Sequence, residues 1–331
     1  MKPASGRLTV QIEHRMLKSN RRKLLAIVVL TGLILWIGSS ALVTWMFTRR
    51  SSAPFPEPTP QVTWANVEAH RLETLDSQQI GAWLVRGDPQ KGCVLLLHGY
   101  RGSRRQMLQV MQYLAEARFT VLAISLRAHG DSTGEINDIG WSARHDVTAA
   151  MWFLQKECPQ RPVYIVGRSM GAATAIFAAG DLKGQVSGYF LEHPYKDMKS
   201  ATWNRLQHYL PPVLDWIAYG SLRLWAPVFL PVALDELSPY DHIQDIPKGV
   251  PVVFVTGSED RHAHLDEVTA MFRRIQSHAK LVVFDGAQHV DLDRANPELY
   301  RKTLLSFLDT AEMKRTIEAC PKEGRLSESL K

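Results

Sequence analysis

The sequence predicts an α/β fold: a mostly parallel sheet with helices on both faces, carried on one N-terminal transmembrane helix. Three observations point there. Short apolar runs such as "CVLLL" (93–97), "VYIV" (163–166) and "PVVFV" (251–255) recur along the chain, and a strand that is apolar at every position is buried on both faces. Helical patterns separate these runs, and strand, helix, strand in series implies parallel pairing. Ahead of them, Leu24 to Phe47 is a run of 24 residues without a charge, long enough to cross a hydrocarbon core of about 30 Å.

Residues 1–23 form a basic N-terminal segment and 24–47 the transmembrane helix. Seven Lys/Arg precede the apolar run and only Arg49 and Arg50 follow closely, so the N-terminus is expected in the cytoplasm and the rest of the chain outside it. The residues leave a cleaved signal peptide open, with Ser39 and Ala41 beside the cut. The apolar run continues through "LVTWMF", which favours the anchor. The net charge of +6 arises here, with nine Lys/Arg against Glu13 in residues 1–50 and 30 basic against 32 acidic residues thereafter. No nucleic-acid partner is therefore expected, and the partners are the membrane and a small-molecule or lipid acyl substrate. Residues 48–61, with four prolines from Pro54 to Pro60, read as a stiff, extended linker that joins no core.

The domain proper is expected over 62–310. "HRLETLDSQQIGAWLVRG" (70–87) has hairpin character around Asp76–Ser77, so two antiparallel strands begin the sheet. Strands at 93–99, 120–125, 163–167, 187–192, 251–257 and 281–285 follow, with helices near 107–117, 143–155, after Met170, 265–277 and 297–308. The interval 195–245 holds no strand and is rich in Trp, Leu and Pro, which reads as a cap inserted over the sheet's C-terminal edge. Asp215, Arg223 and four prolines argue against a second membrane span there. Trp216 and Trp225 in the cap are candidate substrate-pocket residues, either as an acyl-binding wall or as a satellite of the core. Residues 311–331 read as a charged tail. Of three cysteines, Cys93 reads as core, and a Cys158–Cys320 bridge is left open.

"GRSMG" (167–171) follows a strand and opens a helix, so Ser169 falls on a sharp turn near a helix N-terminus. A nucleophilic serine needs a base, and the base an orienting acid. Asp260 in "VTGSED" and His289 in "DGAQH" end the next two late strands at the same sheet edge, in the order Ser, acid, His. Glu259, Asp285 and Asp291 compete as the acid, with Glu192 and Asp197 after the earlier strand as further alternatives. The backbone amides of Met170 and Tyr100, the latter in "HGYRG" (98–102), are the candidate oxyanion hole. Neither a metal nor an organic cofactor is required. His262 and His264 in "DRHAH" have no further ligand cluster and read as a solvated loop, and Arg101, Arg104 and Arg105 read as surface charge.

"LLLHGYRGS", "SLRAHGDSTG", "IVGRSMGA", "VTGSED" and "GAQH", in this order and spacing, resemble the α/β-hydrolase superfamily over about residues 62–310. The small-capped members similar to monoacylglycerol lipases and the serine-aminopeptidase-like group are nearest in pattern. The resemblance implies Ser169 as nucleophile, Asp260 as acid and His289 as base, and an enzyme cleaving an ester, thioester or acyl-lipid bond through an acyl-enzyme. A serine exopeptidase acting on short peptides, or a non-catalytic binding protein on the same fold, are the rival readings. Ser125 stands where the superfamily commonly has Asp, and Ala128 where it commonly has Gly.

Overall fold

A computed structural model describes the backbone of residues 5–289 and 291–319. The chain begins with α1 (Ser5–Thr48), one continuous helix in which the basic segment and the apolar run share an axis. Among the described residues, Asn20–Thr48 is the helical stretch long and apolar enough to cross a membrane. The domain then runs β1 (Val67–Glu73), β2 (Gln79–Val85), β3 (Cys93–Leu97), α2 (Leu108–Glu116), β4 (Thr120–Ile124), α3 (Arg144–Glu157), β5 (Val163–Arg168), α4 (Met170–Leu182) and β6 (Gly188–Glu192). The cap follows as α5 (Met198–Tyr209), α6 (Leu214–Phe229) and α7 (Pro239–His242). The chain returns through β7 (Val252–Gly257), α8 (Leu265–Arg274), β8 (Ala279–Phe284), α9 (Leu292–Ala295) and α10 (Pro297–Ala319).

These strands make one eight-stranded sheet in the order β1-β2-β4-β3-β5-β6-β7-β8. β1 and β2 pair antiparallel, β2 joins β4 antiparallel, and every pairing from β4 to β8 is parallel. Because successive strand residues point to opposite faces, the uninterrupted apolar strands feed two cores. Leu95 and Leu97 pack with Val147 and Met151 of α3 and Ile176 of α4, while Val94 and Leu96 pack with Val110 and Leu114 of α2 and Leu304 and Leu308 of α10.

Four expectations are corrected. Residues 48–61 are not a free spacer, because Glu57 is only 4% exposed, its carboxylate lies 3.0 Å from the Arg104 guanidinium, and Phe55 N donates to Gly130 O at 3.3 Å. Arg104 is accordingly no surface charge; it is fully buried and forks onto Asp131 at 2.6 and 2.9 Å. Cys93 is bonded to Cys158, and Cys320, the partner considered for Cys158, lies outside the described residues. The helix at the C-terminus continues to Ala319 with Ala311 buried, where a tail was expected from 311; residues 320–331 lie outside the described set.

Candidate active site

Ser169 forms the whole turn between β5 and α4, at φ 50° and ψ −111°, a conformation that L-residues adopt only under strain. Glycine is required beside it for space. A Cβ on Gly171 would lie 2.4 Å from Leu97 O, and one on Gly167 would lie 2.6 Å from Gly171 O. The helix can therefore rest on the end of β3, and the serine hydroxyl projects from the sheet edge. Ser169 N donates to Glu192 O at 2.7 Å, which ties the turn to β6.

His289, in the loop after β8, has Nε2 3.1 Å from Ser169 Oγ and Nδ1 2.8 Å from Asp260 Oδ2. Asp260, in the loop after β7, receives His262 N at 2.8 Å and Ala263 N at 2.9 Å on its other oxygen, Oδ1. The structure thus brings Ser169, His289 and Asp260 into one polar chain from three loops. Burial pushes the Asp260 carboxyl up, but the contacts from His193 and His289 outweigh it and hold the group well below the usual carboxylate range. Burial lowers His289, and Asp260 offsets only part of that, so the imidazole is neutral at pH 7 and able to accept a proton.

The rival acids are engaged elsewhere. Glu192 lies 3.0 Å from Arg168 and Asp291 also 3.0 Å from it, Asp197 caps α5 through Ser200 N at 2.7 Å, Asp285 accepts from Ser258 Oγ at 3.2 Å, and Glu259 is exposed. Arg168 also contacts Asp293 at 2.5 Å, so the residue before the serine holds the loop that carries His289.

Sequence reasoning missed His193. It follows β6 directly, in a left-handed conformation with φ 46°, is 1% exposed, and brings Nδ1 within 3.0 Å of Asp260 Oδ2. Its position just past "GYFLE", at the edge that carries Ser169 and Asp260, was the available signal. His193, Asp260 and His289 place ligand-type atoms within 4.8 Å of one another, yet both imidazoles direct Nδ1 at the same carboxylate oxygen, which suits proton control better than metal ligation. His262 is not a freely solvated loop residue: its ring lies 5.2 Å from that of His289, and burial pushes its pKa down to about 4.

Ser169 opens into a cleft beneath the cap, lined also by Tyr100 and Met170 from the expected oxyanion elements. Its walls come from α5 (Ala201, Arg205), from α6 (Tyr219, Leu222, Arg223, Ala226) and, unexpectedly, from α1 (Val43, Thr44, Phe47, Thr48). Among the described residues, the charged lining residues are Lys199, Arg205 and Arg223, with no carboxylate. Trp216 and Trp225, expected in the pocket, do not line it. Trp216 is 67% exposed beside Trp203, and the Trp225 indole turns away to donate to Ser40 Oγ at 3.1 Å. On α6 the cleft face carries Tyr219, Leu222, Arg223 and Ala226; the helical period turns Trp225 off that face, while Trp216 lies on its stripe but at the N-terminal end of the helix, outside the lining.

The family profile described as serine aminopeptidase, S33, matches residues 88–228, a stretch that includes Ser169 but stops before Asp260 and His289. The uncharacterized protein YqkD of Bacillus subtilis (strain 168) is 26% identical over 227 residues, covering 65% of this chain and 70% of its own length. Human monoglyceride lipase is 30% identical over 115 residues, 34% of this chain and 37% of its own length. Among solved structures, the Pyrococcus furiosus esterase Pf2001 superposes with a TM-score of 0.63 at 22% identity, covering 78% of this chain and 97% of that one. Sheet order, the strained serine turn and these matches agree, and the chain has the α/β-hydrolase fold.

Proposed function

We propose that the protein is a membrane-anchored serine hydrolase that cleaves a carboxylic ester, thioester or acyl-lipid bond outside the cytosol. The observation that carries this reading is the continuous contact from Ser169 Oγ to His289 Nε2 and from His289 Nδ1 to Asp260, set at the floor of an apolar cleft. Ser169 Oγ attacks the acyl carbon as His289 Nε2 takes its proton, Asp260 stabilises the imidazolium, and the amides of Met170 and Tyr100 hold the oxyanion. His289 returns the proton to the leaving alcohol or thiol, an acyl-Ser169 ester remains, and water activated by the same imidazole releases the acid.

The cleft favours this reading over an aminopeptidase. Binding a free α-ammonium calls for a carboxylate, and the charged lining residues are all cations. α1 supports anchoring by length and composition, and the Cys93–Cys158 bond suits an oxidising compartment. In the test, a fluorophosphonate labels the wild type, whereas Ser169→Ala removes labelling and lowers ester turnover on the order of 10⁴-fold or more. Undiminished turnover by that variant would end the proposal.

A further inference from the structure

The cleft wall supplied by α1 is not what a simple tether provides. Ser40, Thr44 and Thr48 recur every four residues and are buried, while Leu42, Val43, Trp45 and Met46 between them are exposed, so one small, polar stripe of α1 faces α6. Two hydrogen bonds join the helices there, Trp36 Nε1 to Ser221 Oγ at 2.8 Å and Trp225 Nε1 to Ser40 Oγ at 3.1 Å. The exit of α1 is clamped as well: Asn137 N donates to Thr48 O at 2.9 Å, Arg50 N to Glu135 O at 2.9 Å, and the Tyr100 hydroxyl to Phe47 O at 3.2 Å. The C-terminal end of α1 is thus tied by hydrogen bonds to the Glu135–Asn137 loop and to Tyr100.

Depth follows from helical geometry. Counting from Leu24, about 20 residues fill the hydrocarbon core, which puts the α6-contacting turns from Trp36 onward in the outer half of the bilayer and the cleft-lining Val43–Thr48 at its surface. α6 shows the matching chemistry: Trp216, Leu224 and Val228, spaced on one face, are 67%, 66% and 64% exposed, and this apolar face adjoins the lipid-facing side of α1. Its occupant is the acyl region of the outer leaflet, because the face continues a membrane-spanning surface. Resting on the membrane-anchored hydrolase reading, we infer that the last two turns of α1 form a wall of the acyl site, and that the substrate is a bilayer-resident, long-chain acyl lipid drawn sideways between α1 and α6 to Ser169.

The test uses the full chain in phosphatidylcholine vesicles. Val43→Trp, which fills the cleft from α1, is expected to lower the ratio of decanoate to acetate ester turnover by at least about tenfold, whereas Leu42→Ala and Met46→Ala, exposed on the same helix outside the cleft lining, leave the ratio within about twofold. An unchanged ratio in Val43→Trp, with fluorophosphonate labelling retained, overturns the inference and leaves the hydrolase reading intact. A second measurement does not depend on turnover or on that variant. A monoacylglycerol with a diazirine near its acyl terminus, dissolved in the vesicles, should crosslink Ser169→Ala protein within residues 43–48 and 219–226. Crosslinks elsewhere alone, or none, overturn the α1 wall. Absence of fluorophosphonate labelling in the wild type would instead remove the hydrolase reading on which it rests.

Discussion

As the proposed general base, His289 works only as the neutral imidazole, and burial sets its pKa below the ordinary 6.5 while Asp260 pulls it partly back. A base with a depressed pKa keeps its neutral form above that pKa and loses it as pH falls. Turnover is therefore expected to be level through neutral pH and to decline below about 6.5 with a single ionisation, as a kcat/KM profile in acid buffers will show. Asp260→Asn removes the carboxylate that orients the imidazole and is expected to lower kcat by about 10²–10⁴-fold, with Asp197→Asn far milder. His193 contacts Asp260 at 3.0 Å and its field lowers His289, so in the proposed mechanism it acts as a positioning residue. His193→Phe should reduce kcat by about tenfold, a loss of ~1.4 kcal/mol, and move the acid limb of the profile to higher pH. An unmoved limb would reduce His193 to packing.

At the scale of elements, the linker supplies a carboxylate beside Ser125, where the motif that this segment resembles commonly has Asp. Ser125 occupies the position where Asp is common, and its hydroxyl meets Glu57 Oε2 at 2.5 Å while accepting Arg104 N at 3.0 Å. The carboxylate is thus delivered from residue 57, and Arg104 holds it together with Asp131. Arg104→Met leaves the fully buried Glu57 without its cation, while Asp131 keeps Arg71 at 2.9 Å, and breaking such a buried pair costs about 3–5 kcal/mol. A lower denaturant midpoint at unchanged m is the expected result. Glu57→Gln should lose part of that stability and Ser125→Asp should restore some of it, since the second change moves the carboxylate back to the sheet. No recovery in the double variant would mean that Glu57 acts chiefly by docking the linker.

For the molecule as a whole, two buried histidines make the fold acid-sensitive at the active-site edge. His98 receives Leu126 N on Nε2 at 2.9 Å and has Nδ1 2.7 Å from Gly99 O. His129 receives Arg101 N on Nε2 at 3.3 Å and has Nδ1 2.8 Å from Arg127 O. Neither can accept a second proton without losing an acceptor. Burial lowers His98 well below 6.5 and pushes His129 down to about 4. Both folded values lie below the unfolded one, so their contribution is complete above about pH 6.5 and is lost as pH falls through the folded values. Thermal melts from pH 7 to 4 are expected to show a falling Tm, and a flat curve would mean that these histidines protonate without strain. The charge asymmetry about α1 further predicts that a reporter fused after residue 311 is active only outside the cytosol.

The parallel sheet, the two strands before it, the membrane-length helix and the strand-end positions of Ser169, Asp260 and His289 were legible because each rests on local pattern: runs of apolar residues, helical spacing, and chain order along one sheet edge. What depends on contacts between distant segments was not legible. Glu57 lies in a proline-rich stretch that reads as a spacer, and only packing reveals the buried cation waiting for it. Cys93 meets Cys158 because β3 and the end of α3 converge across 65 residues. His193 becomes part of the site through one loop crossing the sheet edge beside Asp260. Hydrophobicity ranked Trp216 and Trp225 as pocket residues, but it fixes only how apolar a helix is, whereas the rotation of α6 against α1 decides which face lines the cleft. The sequence determined the layers and the order of polar residues at their edge, since those follow from period and order; the tertiary structure alone decided that the apolar helix α1 also lines the cleft beside Ser169, since that requires two helices about 180 residues apart to lie side by side.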